Sequence, residues 1–107
     1  MKIIVIGATG LIGSAVVKEL EARHEIITAA NTSGDIRVDI CDEKSIENMY
    51  KQVGKVDAVI ATAGKVIFAD FKELTPEKYQ VGLQDKLMGQ VNLVRIGSEY
   101  LVEHGSF

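Results

Sequence analysis

Four apolar branched residues in a row, Ile3-Ile4-Val5-Ile6, run straight into Gly7, and glycine then recurs at Gly10 and Gly13. An apolar run of this length, closed by glycine, predicts a strand buried on both faces, as in a parallel sheet. A helix is expected directly after it, over residues 11–22. Leu11, Ile12, Ala15, Val16 and Leu20 fall on one side of that helix, and Lys18, Glu19, Glu21 and Arg23 on the other. A strand, a glycine turn and a helix in immediate succession leave few folds open, because a parallel strand must be followed by a crossover.

The same rhythm continues along the chain. Glu25 to Ala30 reads as a second strand, Asn31-Thr32-Ser33-Gly34 as a turn, and Ile36-Arg37-Val38 as a short third strand. Asp42 stands where an N-cap belongs, ahead of a helix whose Ile46, Met49, Tyr50 and Val53 share one face and which Gly54 closes. Val56 to Ala61 is a fourth strand. A loop from Gly64 to Leu74 then leads to Thr75-Pro76-Glu77, an N-cap with proline at the first helical position. Helix is expected from there to about Val102, with a break near Gly82, and His104 to Phe107 reads as a turn leading into a further element.

Strand–helix alternation with apolar strands and right-handed crossovers implies an α/β fold, a doubly wound, Rossmann-like parallel sheet. The expected sheet has four strands in the order 3-2-1-4, helices on both faces, and is truncated before a fifth strand. Residues 1–107 form one domain on this reading, incomplete at its C-terminal end.

Composition narrows the function classes. With 47% hydrophobic and 25% charged residues the chain is not a disordered or low-complexity segment. Twelve basic residues against 15 acidic ones leave a net charge of −3, which gives no basic footprint for nucleic acid or an anionic membrane. No apolar run approaches the length of a membrane span, and a single cysteine excludes an internal disulfide. No Cys/His cluster has zinc spacing, so no metal site is expected. The expectation is a soluble, cytoplasmic chain with neither nucleic-acid nor membrane partners.

The glycine turn carries the chemistry. Gly7 lets the chain turn sharply, Gly10 leaves room for a diphosphate against the backbone, and Gly13 lets the helix pack closely on the strand. The helix N-terminus offers unpaired N–H groups and partial positive charge to an anion. A tight turn with no ligand is the alternative. A mononucleotide P-loop is excluded, because its lysine is missing and Ser14 does not replace it.

Taken in order, these segments resemble the short-chain dehydrogenase/reductase family over essentially the whole chain. The Gly7–Gly13 loop, with Thr9, Leu11 and Ile12, is similar to the family's cofactor loop. Asp39-Ile40 resembles its acidic-plus-aliphatic pair after the third strand, where the carboxylate meets the adenine amino group. Ala61-Thr62-Ala63-Gly64 resembles its N-N-A-G motif, and Leu74-Thr75-Pro76-Glu77 and Leu87-Met88-Gly89 resemble stretches of the long helix that follows. Asp39 also has a plain reading as a strand-ending turn residue. The resemblance implies a nicotinamide dinucleotide, NADP or NAD. The position where NAD-preferring sites place a carboxylate holds Asn31, Thr32 and Ser33 instead, all able to donate to a 2′-phosphate, so NADP is the preferred expectation.

The resemblance also implies hydride transfer between that cofactor and a carbonyl or alcohol substrate in a complete chain. The family's Tyr-x-x-x-Lys is absent: Tyr50, Tyr79 and Tyr100 are followed four residues on by Gly54, Leu83 and His104. Its active-site asparagine aligns with Lys86. No catalytic residue is therefore assigned, and no turnover is expected from these residues alone. Two other functions stay open, a non-catalytic NADP(H)-binding regulatory module and an interaction domain without a ligand. A fourth strand at a sheet edge, whose Val59-Ile60-Ala61 carries no charge and no proline, further predicts a homo-oligomer. Cys41 reads as an inert, at least half-buried thiol, His24 and His104 as residues flanking helix ends, and Lys65 as solvated.

Overall fold

The computed structural model describes residues 1–107. In chain order the elements are β1 (Lys2–Ile6), α1 (Leu11–Leu20), β2 (Glu25–Ala30), β3 (Ile36–Arg37), α2 (Glu43–Val53) and β4 (Val56–Ala61). A 3-10 turn at Phe71–Glu73 precedes α3 (Pro76–Val81), a wide π-helical segment (Gly82–Leu87) and α4 (Met88–Gly97). A second 3-10 turn, Ser98–Tyr100, enters β5 (Leu101–Ser106). All pairings are parallel, and the strand order is β3-β2-β1-β4-β5. No helix is long and apolar enough to cross a membrane.

β1 is the central strand because both its faces are apolar. Ile3, Ile4, Val5 and Ile6 are all buried, with Ile4 opposite Ile27 on one side and Val59 on the other. Alternation divides them between two cores. Ile4 and Ile6 join Ala29, Val38, Val59, the inner face of α2 and Leu93 of α4, whereas Ile3 and Val5 meet α1 through Val16, Val17 and Leu20.

Helix α2 follows its pattern closely. Asp42 caps it by accepting from the Lys44 N–H at 3.0 Å, Gly54 ends it at φ 76°, and Ile46, Met49, Tyr50 and Val53 are buried. Tyr50 is the largest fully buried side chain. Its hydroxyl donates to the Leu93 carbonyl at 2.9 Å and its ring stacks on Tyr100, with centroids 5.2 Å apart. Gly97 and Gly89 of α4 make this approach possible. A Cβ on Gly97 would strike the Tyr50 hydroxyl, and one on Gly89 would lie 2.8 Å from Ile40 Cδ1. These glycines serve packing inside the chain.

Several expectations need correction. The last helix ends at Gly97, and residues 101–106 form a fifth strand beside β4, so the sheet is not truncated at four strands. The polar run Glu103-His104-Gly105-Ser106 hid it, since β5 buries Leu101 and Gly105 only in part. β4 is consequently not an edge. On that side the edge is β5, whose charged residues, register shift against β4 and left-handed His104 (φ 65°) suit an exposed position. His104 accordingly lies in a strand and not at a helix end. Helix α1 stops at Leu20, and Leu11 and Ile12 at its start are 91% and 67% exposed rather than core. Val38 lies just past β3, and Cys41 is exposed.

Candidate functional site

A cleft of about 330 Å³ opens across the carboxyl ends of β1, β2, β3 and β4. In an open parallel sheet this is where ligands bind, since successive connections from neighbouring strands leave in opposite directions there. Here β1 is that point, with β2 on one side and β4 on the other.

The cleft floor is backbone. Gly7 turns at φ 81°, and a Cβ there would lie 2.8 Å from both the Ala63 nitrogen and Thr62 Oγ1. A methyl on Gly13 would run into the Gly7 carbonyl, so the start of α1 sits hard against the turn. Gly10 differs: apart from the Gly7 oxygen at 3.3 Å, a Cβ there would meet nothing, and the residue lines the cleft. Gly10 is also the N-cap of α1 and supplies no side-chain acceptor. The N–H groups of the first helical turn therefore have no side-chain partner at the cleft's edge.

The walls come from the other three strand ends. Asn31 and Thr32 follow β2 and line the cleft. The nearest acid in sequence, Asp35, is turned to β2 instead. Its Oδ2 accepts from the Thr28 N–H and hydroxyl, both at 2.9 Å, and those hydrogen bonds hold its carboxyl below the usual range. After β3, Asp39 and Ile40 line the cleft. Asp39 Oδ1 accepts from the Cys41 N–H at 3.0 Å, leaving Oδ2 without a partner in the chain, while Ile40 is buried. After β4 come Thr62, Ala63 and Gly64.

Of the residues expected at a site, Gly7, Thr9, Gly10, Asn31, Thr32, Asp39, Ile40, Thr62, Ala63 and Gly64 are brought together along the cleft. Leu11, Ile12, Gly13, Ser33 and Ala61 do not line it: the first two stand on the rim in solvent, and Gly13 is buried behind the turn. Thr62 has a second task, its hydroxyl bonding the Ile6 and Gly7 carbonyls at 3.0 and 3.2 Å and fastening the two turns together. Sequence reasoning missed Lys65 and Asp85 in the lining, and Gln90, whose amide donates to the Ala63 carbonyl at 2.9 Å. Only spatial proximity reveals them. Lys86 lies at the mouth, its Cγ 3.3 Å from where a Gly64 Cβ would be. None of the three tyrosines lines the cleft.

With this geometry in view, residues 3–104 match the model of the NAD dependent epimerase/dehydratase family. The chain belongs to that family. Its short-chain dehydrogenase/reductase character holds alongside, since solved neighbours are short-chain dehydrogenases. The protein lin1944 from Listeria innocua is 51% identical with a TM-score of 0.98, over 100% of this chain and 54% of that one. A small-chain dehydrogenase solved in complex with NADPH is 27% identical with a TM-score of 0.88, over 98% of this chain and 48% of its own. The UDP-glucose 4-epimerase of Thermus thermophilus, solved with NAD, shares the fold at 24% identity and a TM-score of 0.75, over 94% of this chain and 34% of its own. The chain spans about half the length of the first two. Among curated proteins none matches it.

Proposed function

We propose that the chain is the NAD(P)-binding portion of a short-chain dehydrogenase/reductase-type oxidoreductase. The observation that carries this reading is the open side of the glycine turn: Gly10 presents bare backbone to the cleft beside an uncapped helix start. Gly7, Thr9 and Gly10, with the backbone N–H groups of Leu11 and Ile12 at the helix start, would hold the diphosphate, and Gly13 lets α1 sit close behind them. Asp39 has a free carboxylate oxygen for the adenine amino group, and Ile40 supplies an apolar neighbour for the ring. Thr62, Ala63 and Gly64, following Ala61 at the end of β4, would form the facing wall of the cleft. When bound, the cofactor supplies hydride exchange with a carbonyl or alcohol substrate; these residues bind and orient it.

NADP is the preferred form. Asn31, Thr32 and Ser33 follow β2 with donors and no acid, and Asp35, the nearest carboxylate in sequence, is tied to Thr28. One solved neighbour carries NADPH and another NAD, so the preference rests on Asn31, Thr32 and Ser33. A second reading, a non-catalytic NADP(H)-binding module, is favoured by the tyrosines, of which Tyr50 and Tyr100 pack together in the core. Self-association is also proposed, now through the exposed Tyr79, Leu83, Leu87, Val91 and Val94 of α3, the π segment and α4, rather than through a β4 edge. A cytoplasmic location remains part of the proposal.

Calorimetric titration with NADPH and NADH at low salt tests the cofactor. Tighter NADPH binding is the expected result. Tighter NADH binding contradicts the preference, and no binding of either contradicts the reading itself.

A further inference from the structure

The rim of the cleft is closed by one carboxylate. Asp85 is half-buried in the π-helical segment between α3 and α4 and reaches two other parts of the chain. Its Oδ1 accepts from the Lys65 backbone N–H at 2.6 Å, in the turn after β4. Its Oδ2 accepts from the Cys41 thiol at 3.1 Å, in the turn after β3. Cys41 in turn donates its backbone N–H to Asp39 Oδ1 at 3.0 Å. A continuous hydrogen-bonded path thus runs from Asp39, on one wall, through Cys41 and Asp85 to Lys65, on the other.

The wide helical turn makes this reach possible. A π segment adds a residue per turn and re-aims the side chains that follow, which is why such segments recur at functional sites. Here it directs Asp85 into the cleft lining and Lys86 against Gly64.

We propose that Asp85 is a positioning residue for the adenine half of the nucleotide, setting the separation of the Asp39–Cys41 and Ala63–Lys65 turns. The inference rests on the cofactor reading above and deepens it. Both carboxylate oxygens are occupied within the chain, so Asp85 acts through Asp39 and the two turns. Its loss frees both turns at one end of the cleft only, while the glycine turn stays fastened by Thr62.

The test compares two fragments on the full chain by saturation-transfer NMR: adenosine 2′,5′-bisphosphate and nicotinamide mononucleotide. D85A should weaken the adenine fragment by about tenfold and leave the nicotinamide fragment within about twofold. D85N, whose amide oxygen still accepts from Lys65, should recover to within about threefold of the parent. If D85A does not fold, C41A breaks the other half of the path and should weaken the adenine fragment alone by about threefold. Adenine-fragment binding unchanged in D85A overturns the inference while leaving the cofactor reading intact. So does an equal loss of both fragments in D85A and D85N with a lowered melting temperature, which marks a general structural role. If the parent binds neither fragment nor NADPH, the cofactor reading falls and the inference with it.

Discussion

The two faces of the sheet are covered very differently. On one, α2 and α4 close a continuous core from Ile4 and Ile6 out to Tyr50, Val53 and Leu93. On the other, α1 stands alone over Ile3, Val5 and Ala8, with Val16, Val17 and Leu20 only partly buried and Leu11 and Ile12 in solvent. The strands alternate the same residue types to both sides, so the difference lies in the helices. Helix α2 concentrates its apolar residues into one buried stripe, whereas α1 carries Leu11, Ile12 and Ala15 away from the sheet. Within residues 1–107 the thick face holds the larger buried core, and the thin face carries the glycine turn and the exposed helix start.

That division is breakable by mutation. Ile46→Ala, on the thick face, should cost about 2–5 kcal/mol by leaving a cavity in a fully buried site. Leu20→Ala, on the thin face and already partly exposed, should cost no more than about 1.5 kcal/mol. Urea unfolding of both variants checks this, and equal losses would remove the distinction between the faces.

A smaller effect is expected inside the thick face at Gly97. An added methyl must displace the Tyr50 ring, which is held by the Leu93 carbonyl and by stacking on Tyr100. Gly97→Ala should therefore destabilise by about 1–3 kcal/mol, despite alanine's better helix propensity. A stabilised variant in thermal melts would show that the α2–α4 contact is looser than described.

The smallest effect belongs to the cleft rim, where the thick face meets solvent. Partial burial of the sulfur, then the Asp85 carboxylate and the Asp39 charge, push the Cys41 thiol from 9.0 up to about 11. Between these values the folded chain keeps a proton that the unfolded chain has lost. The contribution is thus fully present below pH 9 and is lost as pH rises through about 11. Alkylation by iodoacetamide should stay slow at pH 8 although the residue is exposed, and rise toward pH 11. An inflection near pH ~8.5, that of a free thiol, would show that the Asp85 contact does not form.

Much of the fold was legible because local pattern and tertiary role coincide. The β1 run, the Asp42 cap with its Ile46–Val53 stripe, and Thr75-Pro76 each state their structure within a few residues. β5 was not legible, because its burial depends on β4 and not on its own polar sequence. The cleft divides in the same way. Glycines, Asn31 and Asp39 occupy positions set by strand ends, so counting along the chain finds them. Asp85 and Lys65 reach the cleft only through the π segment and the loop after β4, Gln90 of α4 touches its wall through the Ala63 carbonyl, and no spacing announces them. Leu11 and Ile12 read as core because amphipathic periodicity cannot tell a covered face from an open one.

The central claim is that the cleft at the strand ends is where a nicotinamide dinucleotide binds. Mapping backbone amide shifts by two-dimensional NMR during titration with NADPH tests it most directly. The account predicts the largest changes at Thr9, Gly10, Leu11 and Ile12, together with Asn31, Ile40 and Ala63, and none along the outer face of α2. Saturable binding whose shifts instead centre on α2, or the absence of any shift at millimolar NADPH, would contradict it.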